Sequence, residues 1–273
     1  MRTFKVNYRD AVCNSSSNGN LLKWEVVENN KHIFIKTSSI DRQSLTLNWM
    51  YEAYSEVICS KLFKELGADN VVQYYLCKII IDNNYETIGC YSYSFLKDNE
   101  QQVTLANLNK ACRISNYATM NHEGYLRCID EVSKIAGLNY KTELDKILTL
   151  DFIVLNQDRH LGNLGLIYNK ATRKLSVQDI FDNGDSLFAS KYIEGMQYST
   201  RLDSYLRSKP FNYSHLEQLK YTNFDYVKHL NLDISNTLSF IDTLENKGLN
   251  RKRIKFIKDL LITRVNYLKS HKV

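Results

Sequence analysis

The 273-residue sequence is poor in residues that break or stiffen a chain, with one Pro and ten Gly. That excludes collagen-like repeats, Pro-rich linkers and low-complexity tracts. No uninterrupted apolar run approaches the roughly 18 to 20 residues of a membrane span. The start Met1-Arg2-Thr3-Phe4-Lys5 lacks the apolar centre of a secretory leader, so a cytoplasmic location is expected. There is no C-x-x-C pair either. Cys13, Cys59, Cys77, Cys90, Cys112 and Cys128 are scattered singly, without His at metal-ligand spacing. Reduced thiols filling core space are the expectation.

What is present suits a folded chain: 44% hydrophobic, 24% charged and 12% aromatic residues. At roughly 150 residues per domain, the length allows one large domain or two lobes sharing a cleft. The net charge of +6 is uneven, because residues 249–273 hold eight basic residues against one acidic residue, Asp259. An anionic partner such as nucleic acid would use such a segment. Ile254, Ile257, Leu261, Val265 and Leu268 recur at helical spacing, however, which favours a solvated face of an amphipathic helix over direct nucleic-acid contact.

Residues 22–27 and 32–37 read as strands around Asn29-Asn30-Lys31. Alternation in the second puts His32, Phe34 and Lys36 on one face and Ile33, Ile35 and Thr37 on the other. Residues 45–66 contain neither Gly nor Pro and carry the helical stripe Leu47, Tyr51, Tyr54, Ile58, Leu62 and Leu66, ended by Gly67. Glu56 lies within a second, partly apolar strip with Trp49, Ala53, Ser60 and Phe63, where a carboxylate needs a partner. Two further antiparallel strands are expected over 71–82 and 87–96, and helices over 125–136, 142–155, 224–230, 234–244 and 249–268. The fold class is therefore α+β: a small β-rich N-terminal lobe, residues 1–97, and a larger helical lobe, residues 98–273.

The chemistry concentrates where the apolar run 147–155 stops at Asn156-Gln157-Asp158-Arg159-His160-Leu161-Gly162-Asn163. A strand pair over 164–168 and 175–177 follows and ends at Asp179-Ile180-Phe181-Asp182-Asn183-Gly184-Asp185. Phosphoryl transfer needs a carboxylate to orient the hydroxyl nucleophile, with an amide oxygen and a second carboxylate on magnesium. Asp158, Asn163 and Asp182 supply these, and Asp158-x4-Asn163 has the spacing of a kinase catalytic loop.

N-x-D-R-H-x-x-N followed by I-F-D-N-G-x-S-L resembles the HipA-like serine/threonine kinases, whose bilobal protein-kinase-like fold is also similar to that of phosphoinositide kinases. The resemblance implies ATP and Mg2+ as cofactors and a Ser/Thr hydroxyl of a protein as acceptor. It implies Asp158 as catalytic base, Asn163 and Asp182 as magnesium ligands, and Arg159 and His160 as supports of the loop. Ser15-Ser16-Ser17-Asn18-Gly19 resembles the family's phosphate-covering loop, with Ser16, Ser17 and Gly19 as its contacts, although it is poorer in glycine. Lys36 corresponds to the lysine on the nucleotide phosphates and Glu56 to its helix partner. Tyr93 and Phe95 fall at the hinge that holds adenine. The family also implies possible autophosphorylation at Ser15 to Ser17 and an antitoxin-like protein partner, while its added terminal modules are expected to be missing.

Simpler readings stand beside these. Asp158 and Asn163 suit an ordinary turn, Lys36 a strand end, and the 15–17 serines a plain hairpin tip. Asp179 or Asp185 is an alternative metal ligand, and Glu52 lies one turn from Glu56. His160 suits a backbone-bonded support better than proton transfer. A lipid or small-molecule kinase, or a nucleotide-binding scaffold without turnover, would use the same residues.

Overall fold

In the computed structural model, residues 1–12, 21–38, 50–113, 122–193, 195–223 and 225–271 are described. The first local decision is made by asparagine. Asn29 and Asn30, at φ 49° and 59°, take the left-handed backbone that Asn tolerates well. They form a two-residue turn between β2 (Lys23–Glu28) and β3 (Lys31–Thr37). Asp82 and Asn83 take the same left-handed backbone, at φ 51° and 59°, in the three-residue loop between β4 (Tyr75–Ile81) and β5 (Tyr85–Tyr93). With β1 (Arg2–Val6), these strands form a five-stranded sheet in the order β1-β4-β5-β3-β2. β1 runs parallel to β4, and the other neighbours are antiparallel.

Strand alternation sorts the two faces of this sheet. Ile33, Ile35, Ile79 and Ile81 join Phe4, Leu22, Trp24 and Cys77 in a small core of their own. Leu76 and Cys90 face the other way, into the main core, against helix α1 (Glu52–Glu65). Lys36 pairs across the strands with Cys90, so the same alternation delivers its side chain to the helix side of the sheet.

The helix is shorter at its N-terminus than its apolar period predicts. Residues 39–49, with Leu47 and Trp49, lie outside the described residues, and Met50 and Tyr51 precede the first helical turn. The Tyr51 N–H donates to the Ala189 carbonyl at 3.1 Å instead of facing solvent, and the helical ladder begins only when Ser55 donates back to Tyr51. Its two-sided pattern has a matching cause, since every residue from Glu52 to Ser60 is buried.

The C-terminal part is built on α4 (Tyr140–Val154), whose residues Leu150, Phe152, Ile153 and Val154 are fully buried. Each such side chain contributes roughly 1.5–3 kcal/mol. α3 (His122–Ala136), α6 (His215–Leu219), α7 (Asp225–His229) and α9 (Arg251–Ser270) pack against it. α8 (Ser235–Thr243) bridges α1 and α9, and the short α5 (Thr200–Asp203) ends at the buried Asp203. A second sheet, absent from the expected helical lobe as a three-stranded unit, has the order β6-β7-β8. It comprises β6 (Glu100–Thr104), β7 (Gly165–Asn169) and β8 (Lys174–Val177), and β6 leads into α2 (Leu105–Cys112).

The basic C-terminal segment is not simply a solvated face. Arg253 and Arg264 are buried: Arg253 donates to the carbonyls of Phe188 and Lys191 at 2.9 and 2.8 Å, and Arg264 pairs with buried Asp203 at 3.1 Å. Cys59, Cys77, Cys90 and Cys128 are buried free thiols, whereas Cys112 is exposed. No helix among the described residues is long and apolar enough to cross a membrane.

Candidate active site

Lys36, Glu56 and Asp182 come from a strand, a helix and a loop, and they meet in one ion-pair cluster. Lys36 Nζ donates to Glu56 Oε1 and, at 2.9 Å, to Asp182 Oδ1. The side chains of Lys36, Glu56 and Asp182 are 12%, 1% and 29% exposed, so the cluster is closed at the helix and opens at the aspartate. Burial alone would lower Lys36, but Asp182 and then Glu56 reverse this and hold its ammonium well above the ordinary value. Burial would likewise raise Asp182, yet Lys36 and next Lys23 pull it far below the usual carboxylate range. Burial does prevail at Glu56, which is pushed up despite the attraction of Lys36.

The α1 side also clasps the backbone after Asp182. Asn183 N–H donates to Glu56 Oε2 at 2.8 Å, and Ser55 Oγ donates to the carbonyls of Asn183 and Ser186. Tyr74 lies beneath, its ring 4.9 Å from Lys36 Nζ and its hydroxyl accepting from the Asp182 N–H. Asp182 itself sits at φ 59°, a left-handed conformation that turns the chain between Phe181 and Asn183.

The Asp158 loop is organised by a residue that never reaches solvent. Arg159, fully buried, forks onto both oxygens of Asp151 at 2.9 Å each, and also donates to the Phe181 carbonyl at 2.7 Å and Asn183 Oδ1 at 2.6 Å. One guanidinium therefore joins α4, the Asp158 loop and the Asp182 turn. Asn156, also fully buried, donates to Asp151 and accepts from the Asp158 N–H. Leu155, at φ 55°, makes the change of direction out of α4.

His160 turns back on its own loop. Gly162 N–H donates to its Nδ1 at 3.0 Å, leaving the ring proton on Nε2, and burial lowers its pKa, with Asp158 opposing. The Asn163 amide nitrogen donates to the Asp158 carbonyl at 3.1 Å, so its oxygen is the end left for coordination. Asp158 is half-buried, and its Oδ1 accepts from Lys209 Nζ at 2.6 Å. Of the rival carboxylates, Asp185 accepts from Ser190 Oγ at 2.5 Å, and Asp179 is raised by burial and then by Glu100 and Glu143. In this turn the contact with Lys36 is made by Asp182.

A cavity of about 300 Å³ opens beside the cluster. Lys36 and Asp182 line it together with Tyr93 and Phe95, and Phe95 lies 5.6 Å from Phe181 between ring centroids. Asp158, His160 and Asn163 stand outside that lining, tied to it through Arg159. Ser16, Ser17 and Gly19, with Ser15, lie outside the described residues.

Four further residues had no place in the sequence reading. Lys23, directly opposite Lys36 in the β2–β3 register, adds a second cation to the cavity wall. Tyr74 supports Asp182, Asp151 holds Arg159, and Lys209 meets Asp158 across 51 positions of sequence. Strand pairing could have pointed to Lys23, because the Asn29-Asn30 turn sets the register. The other three depend on remote contacts that leave no local pattern.

Asp182 and Asn163 offer hard oxygen donors, which suit magnesium held by a few protein groups and completed by phosphate oxygens and water. No group of three or more His, Cys, Asp and Glu positioned for a metal occurs among the described residues. The site fits a metal shared with a nucleotide.

A curled sheet over a helical body, with the cavity between them, is a bilobal protein-kinase-like fold. The crystal structure of the Helicobacter pylori proinflammatory kinase CtkA is similar throughout, with a TM-score of 0.73, 17% sequence identity and 98% of each chain covered. At that identity the likeness establishes the fold. No protein-family model and no curated protein matches the sequence.

Proposed function

We propose that the protein is an ATP-dependent, HipA-like serine/threonine kinase. The observation that carries this reading is the Lys36–Glu56–Asp182 cluster, buried at one end and open at the other onto a cavity edged by Tyr93 and Phe95. A structural ion pair would be satisfied by two members, whereas a third member, a second carboxylate facing the opening, suits a metal–phosphate ligand.

In this reading Tyr93 and Phe95 flank the adenine, and Lys36 and Lys23 face the phosphates. Asp182 and the Asn163 oxygen would hold magnesium, which supplies neutralisation of the phosphate charge. The acceptor oxygen attacks the γ-phosphorus, the bond from that phosphorus to the β–γ bridging oxygen breaks, and ADP leaves. The hydroxyl proton passes to Asp158. Positioning and charge stabilisation supply most of the rate.

The test is transfer from γ-labelled ATP with magnesium, first by the purified protein alone and then with cell extract, comparing wild type with Asp158→Asn. The expected outcome is label on protein that falls by roughly 10²–10⁴-fold in the variant, while ATP still raises the melting temperature of both. Equal labelling by the two proteins would overturn the assignment of Asp158. ATP consumption without label on protein would move the acceptor to a lipid or small molecule, and ATP binding without consumption would indicate a scaffold.

A further inference from the structure

A base for phosphoryl transfer must be aimed as well as charged. Asp158 sits at the mouth of its loop with its side chain 35% exposed, and a carboxylate there can rotate freely unless something holds it. Among the described residues, the hydrogen bond to its carboxylate comes from Lys209, 2.6 Å from Oδ1. The other oxygen, Oδ2, faces His160 Nε2 at 3.8 Å, beyond hydrogen-bond reach. One oxygen is thus held and the other is open.

An ordinary surface ion pair contributes about 0–1 kcal/mol and wanders. This one is delivered by a built turn. Lys209 N–H donates to the Gln157 carbonyl at 3.0 Å, so Lys209 and Asp158 form a parallel backbone bridge directly beneath their side chains. On one side, Ser208 is fully buried, donates its N–H to the Tyr213 carbonyl at 2.9 Å and accepts from Gln218 Nε2 at 2.7 Å. On the other, Phe211 packs edge-on against Tyr125 at 5.0 Å between centroids. The backbone that carries the ammonium is therefore fixed on both flanks.

We propose that Lys209 is a positioning residue for the transfer: its ammonium holds Asp158 Oδ1 so that Oδ2 is presented to the acceptor hydroxyl and takes its proton. This rests on the kinase reading above. It also supplies from a distant segment a cation that the loop lacks, since Arg159 is buried on Asp151 and His160 is turned onto Gly162. The covalent step is unchanged: the hydroxyl oxygen bonds the γ-phosphorus, ADP leaves, and the proton rests on Asp158 Oδ2 before passing to solvent.

The test compares the wild-type full chain with Lys209→Ala and Lys209→Arg, using γ-labelled ATP, magnesium and α-casein as acceptor, with ATP hydrolysis as a second readout. Lys209→Ala should lower kcat by roughly 10–100-fold, the scale of a misplaced catalytic group, with KM for ATP changed less than about twofold. Lys209→Arg should recover most of the rate, and added ethylammonium should restore part of it to Lys209→Ala. A purely structural lysine would lower the melting temperature without amine rescue, which would overturn the proposal. So would an unchanged kcat, a loss confined to KM, or a kcat that rises because the ammonium plugs the site. If Lys209→Ala does not fold, Lys209→Met, which keeps an apolar stem without the charge, replaces it, and an unchanged kcat in that variant would overturn the proposal. Wild type that turns over no ATP would overturn the kinase reading and this role together, whereas active wild type equalled by Lys209→Ala overturns this role alone.

Discussion

Asp158 and Asp182 belong to one proposed reaction and sit in opposite surroundings. Asp182 joins a cluster whose other carboxylate, Glu56, is 1% exposed and whose ammonium is shared between the two carboxylates. Asp158 joins a single lysine, itself 53% exposed, at the rim. Desolvation makes the inner contacts strong and their loss costly, while solvent screens the outer one. The inner wall is thus set by burial and the outer wall by backbone pairing. Metal and phosphates need a fixed charge pattern, whereas the acceptor side must admit a second molecule.

That contrast breaks most visibly if the same residue type is removed from each wall. Lys36→Met leaves Glu56 and Asp182 facing each other without their cation, and should cost roughly 3–5 kcal/mol of stability, read by denaturant unfolding. A loss under about 1 kcal/mol would mean that the inner cluster is solvated after all. Gly89→Ala attacks the inner wall through the backbone, since a Cβ there would lie 2.4 Å from the Lys36 carbonyl and 2.2 Å from Ile79 Cδ1. It should cost about 1–3 kcal/mol, with ATP-dependent stabilisation reduced more than in a core variant of equal stability placed away from the cleft.

Acid sharpens the comparison further. Asp182 is depressed chiefly against its burial by Lys36, so its pair stabilises the fold above the unfolded carboxylate pKa of about 4 and is lost as pH falls below it. Glu56 is raised by burial and acts with the opposite sign, its penalty easing as it is protonated. The melting-temperature gap between wild type and Asp182→Asn should therefore shrink below about pH 4; a constant gap would remove the pair as its cause. The smallest effect is expected at the rim, where Lys209→Met should change stability by only ~0–1 kcal/mol. A loss as large as that of Lys36→Met would erase the distinction between the walls.

Much of this architecture was legible in the linear pattern. Strand alternation placed Lys36 opposite in sense to Ile33 and Ile35, and the structure puts it on the helix side of the sheet with Cys90. The need of Glu56 for a partner was readable because an apolar strip surrounds it. The start of α1 was not readable, because the Ala189 carbonyl takes the Tyr51 N–H. Nor were the burial of Arg253 and Arg264, which composition counts as surface charge until carbonyls and Asp203 are brought to them.

By itself the sequence determined the local choices: the Asn turns, the strand and helix periods, and the order Asp158, Asn163, Asp182 along the chain. These depend on neighbours within a few residues, where backbone preference and period suffice. Only the tertiary structure decided the left-handed turn at Leu155, a residue with no intrinsic preference for it, and the fork of Arg159 on Asp151. It alone brought Lys209 to Asp158. A buried or aimed charge is compensated by whichever partner the packing delivers, and that partner's place in the chain follows from the whole fold.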